Sequence, residues 1–140
     1  MGLYLCVFAP GDRHEELEAV EVGSYGDFGR LRDTITTRLE PNGWGSRFPT
    51  LMLHVDNDGE WTADEAVTLE RELAVIDAEL AALPPEPLPD GWQSEVAREF
   101  DITPVSLCDC FFDVNGDSLL GRMIDLCRVS IKEDVPILFQ

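Results

Sequence analysis

Lysine is nearly missing from this chain. Lys132 is the single lysine among ten basic residues, which face 28 acids for a formal charge of -18. That balance argues against nucleic-acid binding, because proteins that hold phosphate backbones gain their affinity from Lys and Arg. It argues equally against docking on anionic membrane surfaces. Histidine is also scarce: His14 and His54 are the only two, and "HEEL" at His14 lacks the second histidine of a zinc-protease helix. No nucleophile elbow, P-loop or dinucleotide fingerprint occurs, and no apolar run approaches membrane-spanning length. No basic residue precedes Arg13, so no signal peptide is expected, and Cys6 stands where a myristoylation signal needs Ser or Thr. A cytoplasmic protein is the expectation.

What is present suits one folded domain spanning 1–140. An apolar content of 44% with 9% aromatics is too rich for a disordered chain. The negative charge is concentrated: Asp56 to Asp101 holds fourteen acids against Arg71 and Arg98, a net of twelve negative charges out of eighteen. An acidic face is therefore favoured over a uniformly acidic shell. It would attract a basic partner and speed the encounter at low salt, although a solubilising or salt-adapted surface has the same composition. The four cysteines (Cys6, Cys108, Cys110, Cys127) sit in apolar surroundings and read as buried free thiols.

Along the chain, "LYLCVF" (Leu3 to Phe8) is apolar on both alternating faces, as a strand covered on each side would be. Ala19 to Ser24 is a short candidate strand. Ser24 and Asp27 form a weak capping box ahead of Phe28, Leu31, Ile35 and Leu39 at helical spacing. "TLMLH" (Thr50 to His54) reads as the next strand. Thr62 and Glu65 cap a long helix whose stripe is Leu69, Leu73, Ile76, Leu80 and Leu83. "WQSEVAREF" reads as a short helix, "SLCDCFFDV" as a strand, "GDSLLGRMIDLCRVSI" as a helix and "VPILFQ" as a closing strand. That order predicts an α+β domain with helices packed on a small mixed β-sheet.

The stretch "HVDNDGEWTADE", His54 to Glu65, admits two readings. As a calcium loop it would use Asp56, Asp58, Glu60 and Glu65 around Gly59, but His54 occupies the first ligand position and calcium prefers oxygen. As a turn it needs no ligand: Asn-Asp-Gly reverses the chain, Thr62 caps, and Asp64 and Glu65 sit at the helix's positive end. The turn reading leaves Trp61 over, as a lid or as a partner contact.

A second turn, Asp113-Val114-Asn115-Gly116-Asp117, repeats the pattern, and parallel strands would bring both acidic turns to one end of the sheet. Asn-Gly is equally a plain hairpin signal. Cys108 and Cys110, two apart on a strand, would share a face and with His54 could ligate metal; lining a core beside Phe111 and Phe112 is the other reading. A small hydrolase using the acidic turns would need a pocket joining them.

Several segments together, "GLYLCVF", "VEVGSYGDF", "GSRFPTLMLHVDNDGEW", "FFDVNG" and "PILFQ", resemble a family of small bacterial immunity proteins from polymorphic toxin systems. The resemblance implies an α+β fold, a cytoplasmic location and action by binding a co-encoded toxin. It implies no catalytic residues; no cofactor and no metal are expected. Combined with the charge, it makes Asp56, Asp58, Glu60, Trp61, Asp113 and Asp117 the candidate contacts to a basic toxin, a nuclease being one example. The alternative is a calcium-responsive module using the Asp56 to Glu65 loop.

Overall fold

A computed structural model describes residues 2–55 and 58–140. Strand β1 (Gly2–Ala9) turns at Pro10 and Gly11 into β2 (Asp12–Ser24). Gly11 has φ 73°, the left-handed value that the second corner of such a turn requires. The short strand expected at Ala19 is thus the end of a 13-residue strand. Its first six residues, Asp12 to Leu17, are exposed on both faces, so no apolar alternation announces them.

Leu3, Leu5 and Val7 of β1 point into the main core and are fully buried. Cys6 and its cross-strand partner Leu138 are buried on the other face, outside that cluster, near half-buried Tyr4 and Phe8. One face of β1, not both, lies on the main core.

Helix α1 (Tyr25–Leu39) begins at the expected capping box: Ser24 Oγ accepts the Asp27 N–H and the Asp27 carboxylate accepts the Ser24 N–H at 2.7 Å. Its buried stripe is Phe28, Leu31, Ile35 and Leu39. Thr50 to His54 is not a strand. Pro49–Met52 forms a single helical turn, α2, with proline where a missing N–H costs nothing. The Glu72 carboxylate accepts the N–H groups of Thr50 and Leu51 at 3.1 and 3.0 Å, which holds that turn in place.

The two-residue strand β3 (Glu60–Trp61) leads into α3 (Ala63–Ala81), capped by Thr62 and Glu65 as expected, with Leu69, Leu73, Ile76 and Leu80 buried. Helix α4 (Trp92–Glu99) follows the proline-rich connector. The "SLCDCFFDV" stretch is not a strand either. It holds a 3-10 turn at Cys108–Cys110 and one isolated bridge, Phe112 to Ser118. Bonds to the α3 region account for this: the Leu107 N–H meets the Leu83 carbonyl at 2.9 Å, and the Cys108 thiol meets the Asp77 carboxylate at 2.6 Å. Helix α5 (Leu119–Glu133) and strand β4 (Ile137–Phe139) complete the chain.

The sheet order is β2-β1-β4-β3 and every neighbouring pair is antiparallel, so the α+β expectation holds while the sheet is antiparallel rather than mixed. α3 and α5 pack on each other, and α5 and α1 pack against β2 and β1. Among the described residues no helix is long and apolar enough to cross a membrane.

Candidate interaction surface

The loop that leaves α1 is built around a buried carboxylate. Glu40, 2% exposed, accepts the Gly45 N–H through Oε1 and the Arg47 and Phe48 N–H groups through Oε2, each at 3.1 Å. Three loop donors thus find one charged acceptor, which satisfies groups that the irregular backbone cannot pair with itself. Arg47 ties the loop in the other direction. Its Nη1 donates to the Leu39 carbonyl at 2.9 Å, and its guanidinium grips both Glu79 oxygens at 2.9 and 2.6 Å.

This scaffold presents an aromatic ring to solvent. Trp44 Nε1 donates to the Met52 carbonyl at 2.8 Å, while the residue remains 45% exposed. Gly45 has φ 77°, and a Cβ there would stand 2.7 Å from Leu53 Cδ2, so Leu53 lies directly against the Trp44 loop. Leu53 and Val55 are 64% and 60% exposed.

His54, between them, turns inward. Its ring stacks on Phe139 at 4.3 Å and lies 5.1 Å from Trp61, with Nε2 2.9 Å from the Glu60 carbonyl and Nδ1 2.6 Å from that of Val55. Trp61 belongs to the core. It is 1% exposed, its Nε1 donates to the Thr50 carbonyl at 3.0 Å, and its ring meets Phe139 edge-on at 4.6 Å. The expectation that Trp61 is a lid or partner contact is corrected: the indole fills the space under α2 and has no free face.

Asp58 and Glu60 are exposed, with Asp58 Oδ1 accepting the Gly59 N–H at 2.7 Å. Asp56 lies outside the described residues. Of the calcium set, Glu65 is engaged by its own helix, where its carboxylate accepts the Thr62 N–H at 3.0 Å. Among the described residues, no group of three or more His, Cys, Asp or Glu is placed to hold a metal ion. Cys108 and Cys110 line the core, and burial, with Asp77 adding to it, pushes the Cys108 thiol up to about 12.

Asp113 is internal as well, so its reading as a contact residue is corrected. At 1% exposure its Oδ1 accepts the Asn115 and Asp117 N–H groups at 2.9 and 3.0 Å, which shapes the turn, and Arg122 Nε lies 3.8 Å from Oδ2. Asp117 is exposed. Arg122 also bonds Glu18 and the Ala19 carbonyl of β2 at 2.9 and 2.6 Å. The second acidic turn therefore attaches to the β2 edge of the sheet, and Glu60 to the β3 edge. The two turns do not crowd one end, because the elements before them are not parallel strands.

Within the acidic segment, many carboxylates have structural partners. Glu70 pairs with Arg128, Glu79 with Arg47 and Glu86 with Arg38, while Glu65 and Glu72 serve helix starts. Asp58, Glu60 and Asp64 near β3, and Asp90, Glu95 and Glu99 around α4, are exposed and have no cationic partner among the described residues.

The family model described as immunity protein 70 matches residues 3–139. The chain belongs to this family. No curated protein and no solved structure matches it significantly. The immunity protein 70 match takes in helices α1 to α5 and the described strands from Leu3 onward, and so includes the Trp44 loop and β3. Trp44 is an exposed aromatic, as is Phe100, that sequence reasoning passed over. Its signal was there: a tryptophan between two glycines, in a segment of helix breakers, has no apolar neighbours in sequence to bury it.

Proposed function

We propose that this immunity protein binds a toxin domain encoded beside it and neutralises that toxin by covering its working surface, with no chemistry of its own. Family membership supports the immunity role. The observation that carries the finer reading is the set of exposed carboxylates with no cationic partner among the described residues, with Asp58 and Glu60 at its β3 end. On a chain of charge -18, these groups favour a basic partner. A nuclease fits that description, since carboxylates can occupy positions its active site offers to phosphates. In this reading the protein works in the cytoplasm, where the producing cell is at risk.

The test uses the purified toxin domain encoded by the gene immediately upstream. Association measured by stopped flow should slow clearly from low to physiological salt while dissociation changes less. Asp58→Asn combined with Glu60→Gln should slow association further and leave the melting temperature near the parent value. An association rate indifferent to salt would reject steering by the acidic surface. Toxin activity undiminished by a molar excess of the protein would reject the immunity function for this pair.

A further inference from the structure

We propose that Trp44, Leu53 and Val55 form the apolar anchor of the toxin-binding surface, with Asp58 and Glu60 as its acidic rim. The inference rests on the toxin-binding reading above and adds to it the place where binding energy is concentrated.

Exposure comes first. Most large apolar side chains here are buried, yet Trp44, Leu53 and Val55 are 45%, 64% and 60% exposed. Trp44 and Leu53 occupy one place, since the Trp44 indole bonds the carbonyl just before Leu53 and Leu53 lies on Gly45; Val55 comes two residues later, its carbonyl 2.6 Å from His54 Nδ1. Grouped apolar residues on a folded surface mark contact sites, whereas isolated ones mean little. Tryptophan is also the residue most enriched among those that dominate interface energies.

The scaffold beneath is tied down by buried acceptors. Two carboxylates, Glu40 at 2% and Glu72 at 8% exposure, are buried under it and accept five backbone N–H groups. Burying a carboxylate is costly unless it is fully bonded, and a loop that merely joins α1 to α3 has no need of it. A loop fixed before binding loses little freedom on binding, which is where such a scaffold yields affinity.

Charge selects the occupant. His54, between Leu53 and Val55, has Nε2 2.9 Å from the Glu60 carbonyl, and exposed Asp58 and Glu60 have no cationic partner among the described residues. A second copy of this chain, also carrying -18, would set these carboxylates against their own kind. A toxin domain with an apolar pocket ringed by Arg or Lys is complementary in both respects.

The experiment measures binding of the full-length protein to the purified upstream-encoded toxin domain by surface plasmon resonance. Trp44→Ala should raise the dissociation rate about 30-fold or more, the size expected of a buried aromatic anchor, with little change in association rate or its salt dependence. Because Trp44→Ala also removes the bond to Met52, Leu53→Ser serves as the second variant; at 64% exposure it should fold normally and still speed dissociation. Val105→Ser, at 81% exposure on another loop, should bind like the parent. If the parent binds tightly while folded Trp44→Ala and Leu53→Ser stay within about threefold of it, the anchor is wrong and toxin binding stands. If the parent neither binds nor inhibits, the toxin-binding reading itself fails. A parent dimer in sedimentation that Leu53→Ser disperses would assign the patch to self-association and overturn the proposal.

Discussion

The carboxylate of Glu40 and the backbone N–H of Phe48, eight residues further on, meet at 3.1 Å in a nearly dry setting, and this contact shapes the loop between α1 and α2. Through Glu40 the loop's geometry is tied to the end of α1. Through Arg47 and Glu79 it is tied to α3, and through Glu72 α3 also holds the start of α2. The exposed Trp44 thus sits on a small polar truss, with core residues Leu51 and Met52 behind it.

Glu40→Gln tests the truss directly. The amide keeps one acceptor oxygen but presents an NH2 group to backbone N–H donors that now lack a partner. Each buried donor left unpaired costs about 1–3 kcal/mol, so a loss of that order is expected. Urea unfolding should show a lower midpoint with an unchanged slope, the sign of altered stability without altered compactness.

Asp27 gives a pH dependence of defined sign. Burial alone would raise its pKa, but bonds from the Ser24 N–H, Trp92 Nε1, the Ser24 hydroxyl and Gln93 Nε2 outweigh that and hold it below the ordinary 3.8. A carboxyl more acidic folded than unfolded contributes stability that is complete above the unfolded pKa and disappears as pH falls through the folded one. Melting temperatures of the parent and Asp27→Asn should differ at neutral pH and converge on acidification below about pH 4. A constant gap would mean that the charge of Asp27 contributes nothing to folding.

What the sequence made legible was local chemistry. The Ser24–Asp27 and Thr62–Glu65 boxes each involve four successive residues, and the stripes of α1 and α3 repeat at helical spacing, so no distant information was needed. The errors share one origin, which is that a distant residue decided the local form. Thr50 to His54 carries the short apolar run of a buried strand, but Glu72, 22 residues from Thr50, takes its N–H and winds it into a turn. Ser106 to Val114 has strand-like residues, but Leu83 and Asp77 draw it onto α3. The first half of β2 shows no alternation because neither of its faces is buried.

The candidate site was half legible for the same reason. Asp58 and Glu60 are exposed as anticipated, whereas Asp113 turned inward because two N–H groups and Arg122 engage it. Trp61, singled out as a contact, is buried, while Trp44, on which no expectation rested, is exposed. A ring in a polar stretch looked exposed, yet Phe139, almost eighty residues away, and the carbonyl of Thr50 enclose it.

The burial of Trp61 is open to measurement. Removing a buried indole leaves a cavity and strips contacts from Phe139 and His54, for which large-to-small core changes cost about 3–5 kcal/mol. In a chain of this length each kcal/mol lowers the melting temperature by about 2–4 °C, so Trp61→Ala should melt roughly 6–20 °C below the parent by calorimetry. Trp61→Phe keeps much of the apolar area but removes the donor to the Thr50 carbonyl, and should fall between the two. Solvent-exposed residues rarely change stability by more than about half a kcal/mol. A Trp61→Ala protein that melts with the parent would place the ring outside the core and return it to the list of surface contacts. A large drop, with binding by the folded fraction intact, is the outcome required of a tryptophan that holds α2, β3 and β4 together beneath the exposed one.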